Sequence, residues 1–385
     1  MTNKLSYAPF TLLRKLIFIE SKHCKLARFC DFLLIVLYSL AQCLNMYYMY
    51  QHFNLSLVIR YGPVLVFSLL VIVTSVISVA WEKEIFELHM VNRKIFWPLN
   101  CVGKNAQTKL TRKCQFINHW ISCSLLLFLI TVIINFPCFG SQRDFFICVE
   151  VFEKYFGEWS FIPYYLYFAA SPFLYYHFFS SSFLFVYTIL DAQVQYFLIG
   201  AYLFETFQTD DLKGWKYLQD AHYQQGIGKS LRLCIENHIA LKKFMKMSLD
   251  FVLIGIPFFL VFGVLLLISS FAFITNFADT MSNILKIRML IFATSSVCIT
   301  MVLCWTGQQL INLTSEIFLS LGGAPWYFWN RDNRKILLMF LTNCTKNESV
   351  VLAGICINYA FFLSLVRLTV TYTLVLYKLH RSGIV

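Results

Sequence analysis

The chain has 385 residues, of which 58% are hydrophobic and only 14% are charged, and its formal net charge is +12. A soluble protein of this length needs more charge to keep its surface hydrated, so the composition excludes an ordinary soluble globular domain. The apolar residues also stand in runs of roughly 20, the helix length that crosses about 30 Å of hydrocarbon.

Seven such runs follow one another along the chain and predict an all-α polytopic membrane protein. They cover approximately Asp31–Tyr50, Tyr61–Trp81, Ile117–Pro137, Tyr164–Gln193, Asp250–Phe273, Ile284–Gly307 and Ala353–Leu379. The fourth run contains Ser171-Pro172, where the proline removes one backbone hydrogen bond. Ser171 or a neighbouring helix must then satisfy the freed backbone group.

The lysines and arginines are concentrated in alternate loops. Most of them lie before the first run, after the second and fourth runs, and before the seventh, whereas the loop after the third run is acidic. By the positive-inside rule the N-terminus is cytoplasmic, and seven crossings place the C-terminus outside. The positive charge is therefore a topology signal, and nucleic-acid binding is not expected. Residues 1–30 lack the pattern of a cleaved signal peptide, so the first run is expected to be an uncleaved anchor.

Several segments outside these runs have helical spacing. Leu203–Met247 is expected to continue straight into the fifth run, and Gln308–Leu321 extends the sixth run to a stop at Gly322-Gly323. Asn333–Leu341 predicts another short helix. Phe10–Ile19 is either a short interfacial helix or a simple juxtamembrane extension.

The expected organisation has four parts. Residues 1–30 form a cytoplasmic N-terminal segment, and residues 31–307 contain the first six membrane helices. Residues 308–350 form cytoplasmic helices, and residues 351–385 form the seventh membrane helix with a short extracellular tail.

The cysteines and sequons give a second set of expectations. Thirteen cysteines show no metal-binding spacing, and neither a metal nor a cofactor is expected. Cys138 and Cys148 share the predicted outer loop, where they could form a disulfide or remain reduced. Asn54 begins a glycosylation sequon on the predicted outer side.

Enzyme and G-protein-coupled receptor signatures are missing from the sequence. There is no Gly-x-Ser-x-Gly, His-Glu-x-x-His or P-loop motif, so the chain is not expected to be an enzyme. A G-protein-coupled receptor would have an outside N-terminus, opposite to the charge pattern. Cys304-Trp305-Thr306-Gly307 lacks the proline of the Cys-Trp-x-Pro element of those receptors.

The last eighty residues carry a specific family resemblance. CWTGQQLINLTSEIFLSLGGAPWYFWNRDNRKILLMFLTN, followed by LAGICINYAFFLSLVRLTVTYTLVLYKL, resembles the C-terminal region of insect odorant receptors. The shared features include the Cys and Gly at the end of the sixth run and Pro325-Trp326-Tyr327. Gustatory receptors share this architecture, but Lys378-Leu379 stands where they commonly have Gln-Phe, which favours the odorant branch.

The resemblance implies a ligand-gated, non-selective cation channel. An odorant-binding subunit of this family assembles with an obligate co-receptor into a heterotetramer in the plasma membrane of the olfactory neuron dendrite. The last helix would line the pore, with Thr371 on it and Val375 and Leu379 at the hydrophobic gate. Lys378 departs from the neutral residue of the co-receptor, which favours a tuning subunit present as a minority partner, unless this side chain snorkels to the outer headgroups.

The resemblance also implies where the ligand and the neighbouring subunits bind. The pocket for a small volatile odorant lies in the outer halves of the membrane helices, where the candidates are Tyr61, Phe67, Thr131, Asn135, Phe168, Ser171, Tyr175 and Phe292. Candidates for the cytoplasmic anchor between subunits are His238, Trp305, Leu313, Ile317 and Trp326. The alternatives are a gustatory-type channel without a co-receptor and, less favoured, a G-protein-coupled receptor.

Overall fold

A computed structural model describes residues 10–17, 25–85, 87–88, 96–135, 143–207, 216–346, 349–352 and 355–382. Within these ranges seven helical segments are long and apolar enough to cross a membrane, which confirms the all-α polytopic prediction. The helices that carry them are α2 (Lys25–Gln51), α3 (Leu55–Ala80), α4 (Lys104–Asn135), α6 (Phe161–Phe207), α8 (Ala221–Phe277), α9 (Asn283–Gly322) and α11 (Tyr359–Ser382).

Short elements connect these helices. They are α1 (Thr11–Ile17), α5 (Ile147–Phe156), α7 (Lys216–Gln219), α10 (Arg331–Cys344), three 3-10 turns (Leu99–Cys101, Gly157–Ser160, Trp326–Phe328) and the strands β1 (Val351–Leu352) and β2 (Ile355–Cys356). The predicted segment Phe10–Ile19 is helical over Thr11–Ile17. Phe10, Leu13 and Ile17 are buried in a cluster with α4 and α6, so this face packs on protein.

Helix α6 remains continuous through Pro172. Proline has no N–H, so the carbonyl of Phe168, four residues earlier, loses its normal helical donor. The hydroxyl of Ser171 donates to this carbonyl oxygen at 2.9 Å. The predicted remedy for the broken backbone hydrogen bond is therefore the one that the structure uses.

Helices α8 and α9 extend well beyond membrane length at one end of the molecule, which we name the extended end. Helix α8 runs without a break from Ala221 into the fifth span, which confirms the later part of the predicted segment Leu203–Met247. The earlier part differs, because Leu203–Phe207 belong to the end of α6 and Lys216–Gln219 form the separate α7. Helix α9 continues through the sixth span to Gly322, as predicted. Asp220 caps α8 by accepting hydrogen bonds from the backbone amides of His222 and Tyr223. At this end α8, α9 and α10 share a core with the last turns of α6.

The seventh span begins later than predicted. The strands β1 (Val351–Leu352) and β2 (Ile355–Cys356) pair antiparallel as a hairpin, and α11 starts at Tyr359 instead of Ala353. Val351 and Ile355 are β-branched, a residue class that favours strands, and the Asn358 side chain caps the new helix at the amide of Phe361. The second span is also longer than predicted, because Asn54 caps α3 and starts it at Leu55.

Candidate functional site

A cavity of about 150 Å³ lies between the membrane helices. It is lined by residues of α3, α4, α6, α8 and α9, together with Ile357 and with Phe361 and Leu365 of α11. Most of its wall is aliphatic or aromatic. A dry apolar cavity of about this size accepts a benzene-sized molecule, which sets the scale of the ligand.

Phe67 of α3 is the central aromatic residue of the wall. Its ring lies 5.4 Å from that of Tyr175 and 5.5 Å from that of Phe178, both on α6. It also meets the ring of Phe292 on α9 edge to face at 5.3 Å. These separations are typical of favourable aromatic pairs, so three helices meet through rigid rings at one side of the cavity.

A pair of hydroxyl groups gives the apolar wall a polar position. Thr131 Oγ1 on α4 lies 2.7 Å from Ser295 Oγ on α9, and both residues line the cavity. Each hydroxyl is also within 2.8 Å of its own helix carbonyl, that of Leu127 or Ile291. Two hydroxyl hydrogens serve three contacts, so the pair can exchange one contact for a hydrogen bond to a ligand at small cost.

The predicted pocket residues divide by depth. Phe67, Thr131 and Phe292 line the cavity, and Tyr175 packs behind Phe67. The side chain of Asn135 lies outside the described residues.

The other three candidates are engaged elsewhere. The hydroxyl of Tyr61 donates to the carbonyl of Arg143 at 3.0 Å, and Phe168 packs edge to face on Phe146 at 5.1 Å. Ser171 donates to the carbonyl that Pro172 frees.

Several residues that line the cavity were not predicted from the sequence. The hydroxyl residues of α9 that line the cavity are Ser295, Ser296 and Thr300, and their spacing on one helix face was the available signal. Gly263 of α8 also lines the wall, and a Cβ added there would meet no atom within 4 Å. The contribution of Phe361 and Leu365 has no signal in the sequence, because it depends on where the last helix packs.

Gly307 of α9 lies directly against the segment that leads into α11. A Cβ added to Gly307 would lie 2.2 Å from the carbonyl oxygen of Ile357. Ile357 lines the cavity, and its amide donates to the carbonyl of Val350 at 2.9 Å, which ties it to the hairpin. The absence of a side chain at Gly307 therefore lets the start of α11 rest on α9.

Helix α11 has one buried face and one exposed face. Leu365, Thr369 and Thr373 recur every four residues and are buried against the rest of the chain. The exposed face carries Thr371, Val375 and Lys378, three of the predicted pore residues, and Leu379 is half-buried. Arg367 shares this face, since it stands one turn before Thr371 and about three turns before Lys378. Arg381, about one turn after Lys378, is exposed as well, so the exposed side of this helix carries three basic side chains.

The predicted anchor residues occupy different environments at the extended end. Leu313 and Ile317 are buried in the core of their own chain, where they stabilise the α8–α9–α10 bundle instead of facing outward. Trp305 is half-buried against the cluster formed by α4 and α6, and Trp326 is half-exposed. Trp329, which was not predicted, is fully buried in this core.

His238 of α8 is a buried titratable group beside this core. Its ring packs against those of Tyr196 and Phe340, and its Nε2 lies 3.7 Å from the thiol of Cys344. Burial, assisted by the nearby Lys242, lowers the pKa of His238 from 6.5 to about 4. The imidazole is therefore neutral at physiological pH.

We expect the free energy of unfolding to depend on pH through His238. The unfolded chain binds this proton near pH 6.5 and the folded chain near pH 4, so the stabilisation is complete above pH 6.5. It is lost progressively as pH falls from 6.5 towards 4, by up to about 3 kcal/mol. Thermal unfolding of the purified protein between pH 7.5 and 4.5 measures this. The slope should flatten in His238→Gln, and an unchanged slope in that variant would assign the effect to other groups.

The remaining predicted positions are placed as follows. Asn54 is exposed at the start of α3, and its side chain accepts from the amide of Ser56. Cys148 is a buried free thiol, while Cys138 lies outside the described residues, so their pairing stays a prediction. Across the described ranges, no group of three or more His, Cys, Asp or Glu side chains has a metal-binding arrangement.

Comparisons with known proteins identify the fold. No protein-family model matches the chain, and no curated protein sequence gives a significant match. Two solved structures of the insect olfactory receptor OR5 from Machilis hrabei are similar. One covers 93% of this chain and 91% of its own, at 12% identity and a TM-score of 0.69. The other is the same receptor in complex with eugenol, at 13% identity, covering 96% and 97%, also with a TM-score of 0.69.

The likeness extends over nearly the whole of both chains. It shows that this chain has the fold of insect olfactory receptors, as the C-terminal resemblance implied.

Proposed function

We propose that this chain is an odorant receptor subunit that binds a small volatile ligand and gates a cation channel. The observation that carries the proposal is the cavity itself, because one apolar space touches both the aromatic cluster around Phe67 and the pore helix residues Phe361 and Leu365. A ligand that fills this space changes the packing of α11 directly. Binding can therefore shift the equilibrium between closed and open arrangements of the last helix.

The size and polarity of the cavity limit the ligand. About 150 Å³ of mostly apolar space suits a single ring or a short branched chain, not a drug-sized molecule. Thr131 and Ser295 offer one hydrogen-bonding position. The preferred ligand is accordingly a small, largely apolar molecule with one polar group, and eugenol, the compound bound to the structural neighbour, is a suitable first probe.

The charges on α11 support a channel that contains a second type of subunit. Following the charge pattern, the extended end faces the cytosol, and the loops after the first, third and fifth spans face outward. Four copies of Arg367 and Lys378 around one pore would repel cations strongly, whereas a single copy beside neutral co-receptor helices is tolerated. The chain then works as the tuning member of a heterotetramer in the plasma membrane of the olfactory neuron dendrite.

Co-expression with the family's co-receptor tests the proposal. Odorant-evoked cation current is expected from the pair, without dependence on GTP, and none is expected from this chain alone. An odorant response of this chain in the absence of the co-receptor would favour the gustatory-type alternative. A response that requires GTP would favour a G-protein-coupled receptor.

Removing the Thr131 hydroxyl should weaken the binding only of ligands that form a hydrogen bond with it. In Thr131→Val a methyl group replaces the hydroxyl without changing the shape, and the loss of one hydrogen bond is worth about 0.5–1.5 kcal/mol. The half-maximal concentration of a phenol or alcohol is expected to rise roughly threefold to tenfold. Dose–response curves for a hydrocarbon of equal size serve as the control, and an equal shift for both compounds would contradict the role of the hydroxyl.

A further inference from the structure

The outer part of α9 contains a buried arginine that the proposed function does not use. Arg288 is only 2% exposed. Its Nε and Nη2 atoms are buried and have no hydrogen-bond partner in the part of the chain that the structure describes. Burying a guanidinium without partners is costly, and such a residue inside a membrane protein marks a functional position by default.

No acidic side chain near this end of the molecule neutralises Arg288. Asp144 pairs with Arg60 at 2.9 Å, and Glu153 pairs with Arg143. The carboxylate of Glu150 accepts from the hydroxyl of Tyr48 at 2.9 Å.

The other acidic residues of the outer loops do not pair with Arg288 either. Glu158 and Asp279 are exposed and form no ion pair among the described residues. Residues 136–142 lie outside the described ranges, but their sequence, FPCFGSQ, contains no aspartate or glutamate. Among the described residues, the positive charge of Arg288 therefore has no acidic side chain as a partner.

The position of Arg288 on α9 adds to its attraction for a negative group. Helix α9 is 40 residues long, and Ser282 caps its N-terminus by accepting from the amide of Leu285 at 3.3 Å. Arg288 lies in the second turn, near the positive end of the helix dipole. Carboxylates and phosphates also match the planar fork of a guanidinium.

Arg288 also lies on the face of α9 that lines the cavity. Phe292 follows it by four residues and Ser295 by seven, so the three share one helix face. Four residues of helix advance about 6 Å, which puts Arg288 one turn outward from the cavity wall. A ligand whose polar group binds Arg288 can therefore extend its apolar chain into the cavity.

We infer that Arg288 binds an oxyanion, carboxylate or phosphate, whose apolar part extends towards the cavity. The carboxylate would belong to a small organic acid, and the phosphate to a lipid headgroup of the outer leaflet. The inference rests on the proposed function only in naming an odorant acid as one source. Its test uses the purified protein and needs no channel current, so it can fail or succeed independently of the proposed function.

The first experiment compares octanoate with 1-octanol at pH 7.4 as stabilisers of the purified full chain in thermal unfolding. The two probes have the same chain length and differ in the charged oxygens. Octanoate is expected to bind at least about tenfold more tightly than 1-octanol. Arg288→Gln should abolish this preference and Arg288→Lys should retain part of it. Arg60→Gln is the matched control, because it removes an outer arginine that already has an acidic partner. This variant should keep the wild-type preference for octanoate over 1-octanol.

The second experiment distinguishes the source of the oxyanion. The wild type and Arg288→Gln are melted in nanodiscs of a neutral galactolipid, which has no phosphate, with and without phosphatidylglycerol. Stabilisation by phosphatidylglycerol that requires Arg288 assigns a lipid phosphate, whereas stabilisation by octanoate alone assigns a free acid.

Two outcomes would overturn the inference. The first is that neither octanoate nor phosphatidylglycerol distinguishes the wild type from Arg288→Gln. The second comes from Arg288→Met without any added probe. Because the wild-type charge is buried without an acidic partner among the described residues, this variant should melt at the same or a higher temperature than the wild type. A clearly lower melting temperature would mean that Arg288 already has its partners within the protein.

Discussion

Replacing Gly263 with leucine is expected to abolish the response to small odorants while the protein still folds. Gly263 lines the cavity, and a Cβ at this position meets no atom within 4 Å, so the new side chain enters the empty space without displacing backbone. In a cavity of about 150 Å³, four added carbons leave no room for a ring. Overpacking of this kind costs about 1–3 kcal/mol, which raises the half-maximal concentration up to roughly 100-fold.

The free energy of unfolding of Gly263→Leu should rise even though its odorant response is lost. Leucine is a better helix former than glycine by about 0.8 kcal/mol, and it also fills a void. Gly226→Leu is the matched control, because Gly226 lies on the same helix, has equally open space, and does not line the cavity. Both variants should reach the surface, and only Gly263→Leu should lose the odorant response. An unaltered dose–response curve in Gly263→Leu would place the ligand elsewhere.

Replacing Gly307 with alanine is expected to uncouple ligand binding from the last helix. The added Cβ would lie 2.2 Å from the carbonyl oxygen of Ile357, and carbon and oxygen atoms do not approach that closely without a shift of one backbone. Since Ile357 leads directly into α11, the shift displaces the start of this helix. We expect a cost of about 1–3 kcal/mol in stability and a fall of at least tenfold in evoked current per surface copy.

A second glycine of the same helix provides the control for this experiment. Gly322 ends α9, and a Cβ added to it meets nothing within 4 Å, so Gly322→Ala should behave as the wild type. Surface labelling separates loss of expression from loss of gating. Normal current per surface copy in Gly307→Ala would show that the close contact of α9 with Ile357 plays no part in coupling.

The sequence predicted the architecture because its signals are local. Apolar runs indicate membrane spans. Within one helical turn, Pro172 removes a backbone hydrogen bond and Ser171 donates a replacement to the freed carbonyl. The signals of α8 and α9 are local as well, because their helical spacing continues past the apolar runs. The predicted start of α11 was wrong because an apolar strand and an apolar helix of equal hydropathy cannot be distinguished by hydropathy alone. Only the antiparallel pairing of Val351 with Cys356 shows that this segment is extended.

The candidate site was less predictable because it depends on depth and on contacts between distant segments. Tyr61 and Phe168 are aromatic like Phe67 and Phe292, but the first two contact Arg143 and Phe146, which lie between α4 and α5. Nothing in the sequence separates these two depths. Likewise, Leu313 and Ile317 have the appearance of interface residues, yet they belong to the core of their own chain.

The most direct test asks whether α11 lines the conduction path and whether the cavity ligand controls it. Thr371→Cys is co-expressed with the co-receptor, and a cationic thiol reagent is applied with and without odorant, with the wild-type pair as the control for native cysteines. We predict that the reagent reduces the current irreversibly and much faster while odorant is bound. Labelling of Cys at this position that leaves the conductance unchanged in both states would contradict the proposed role of α11.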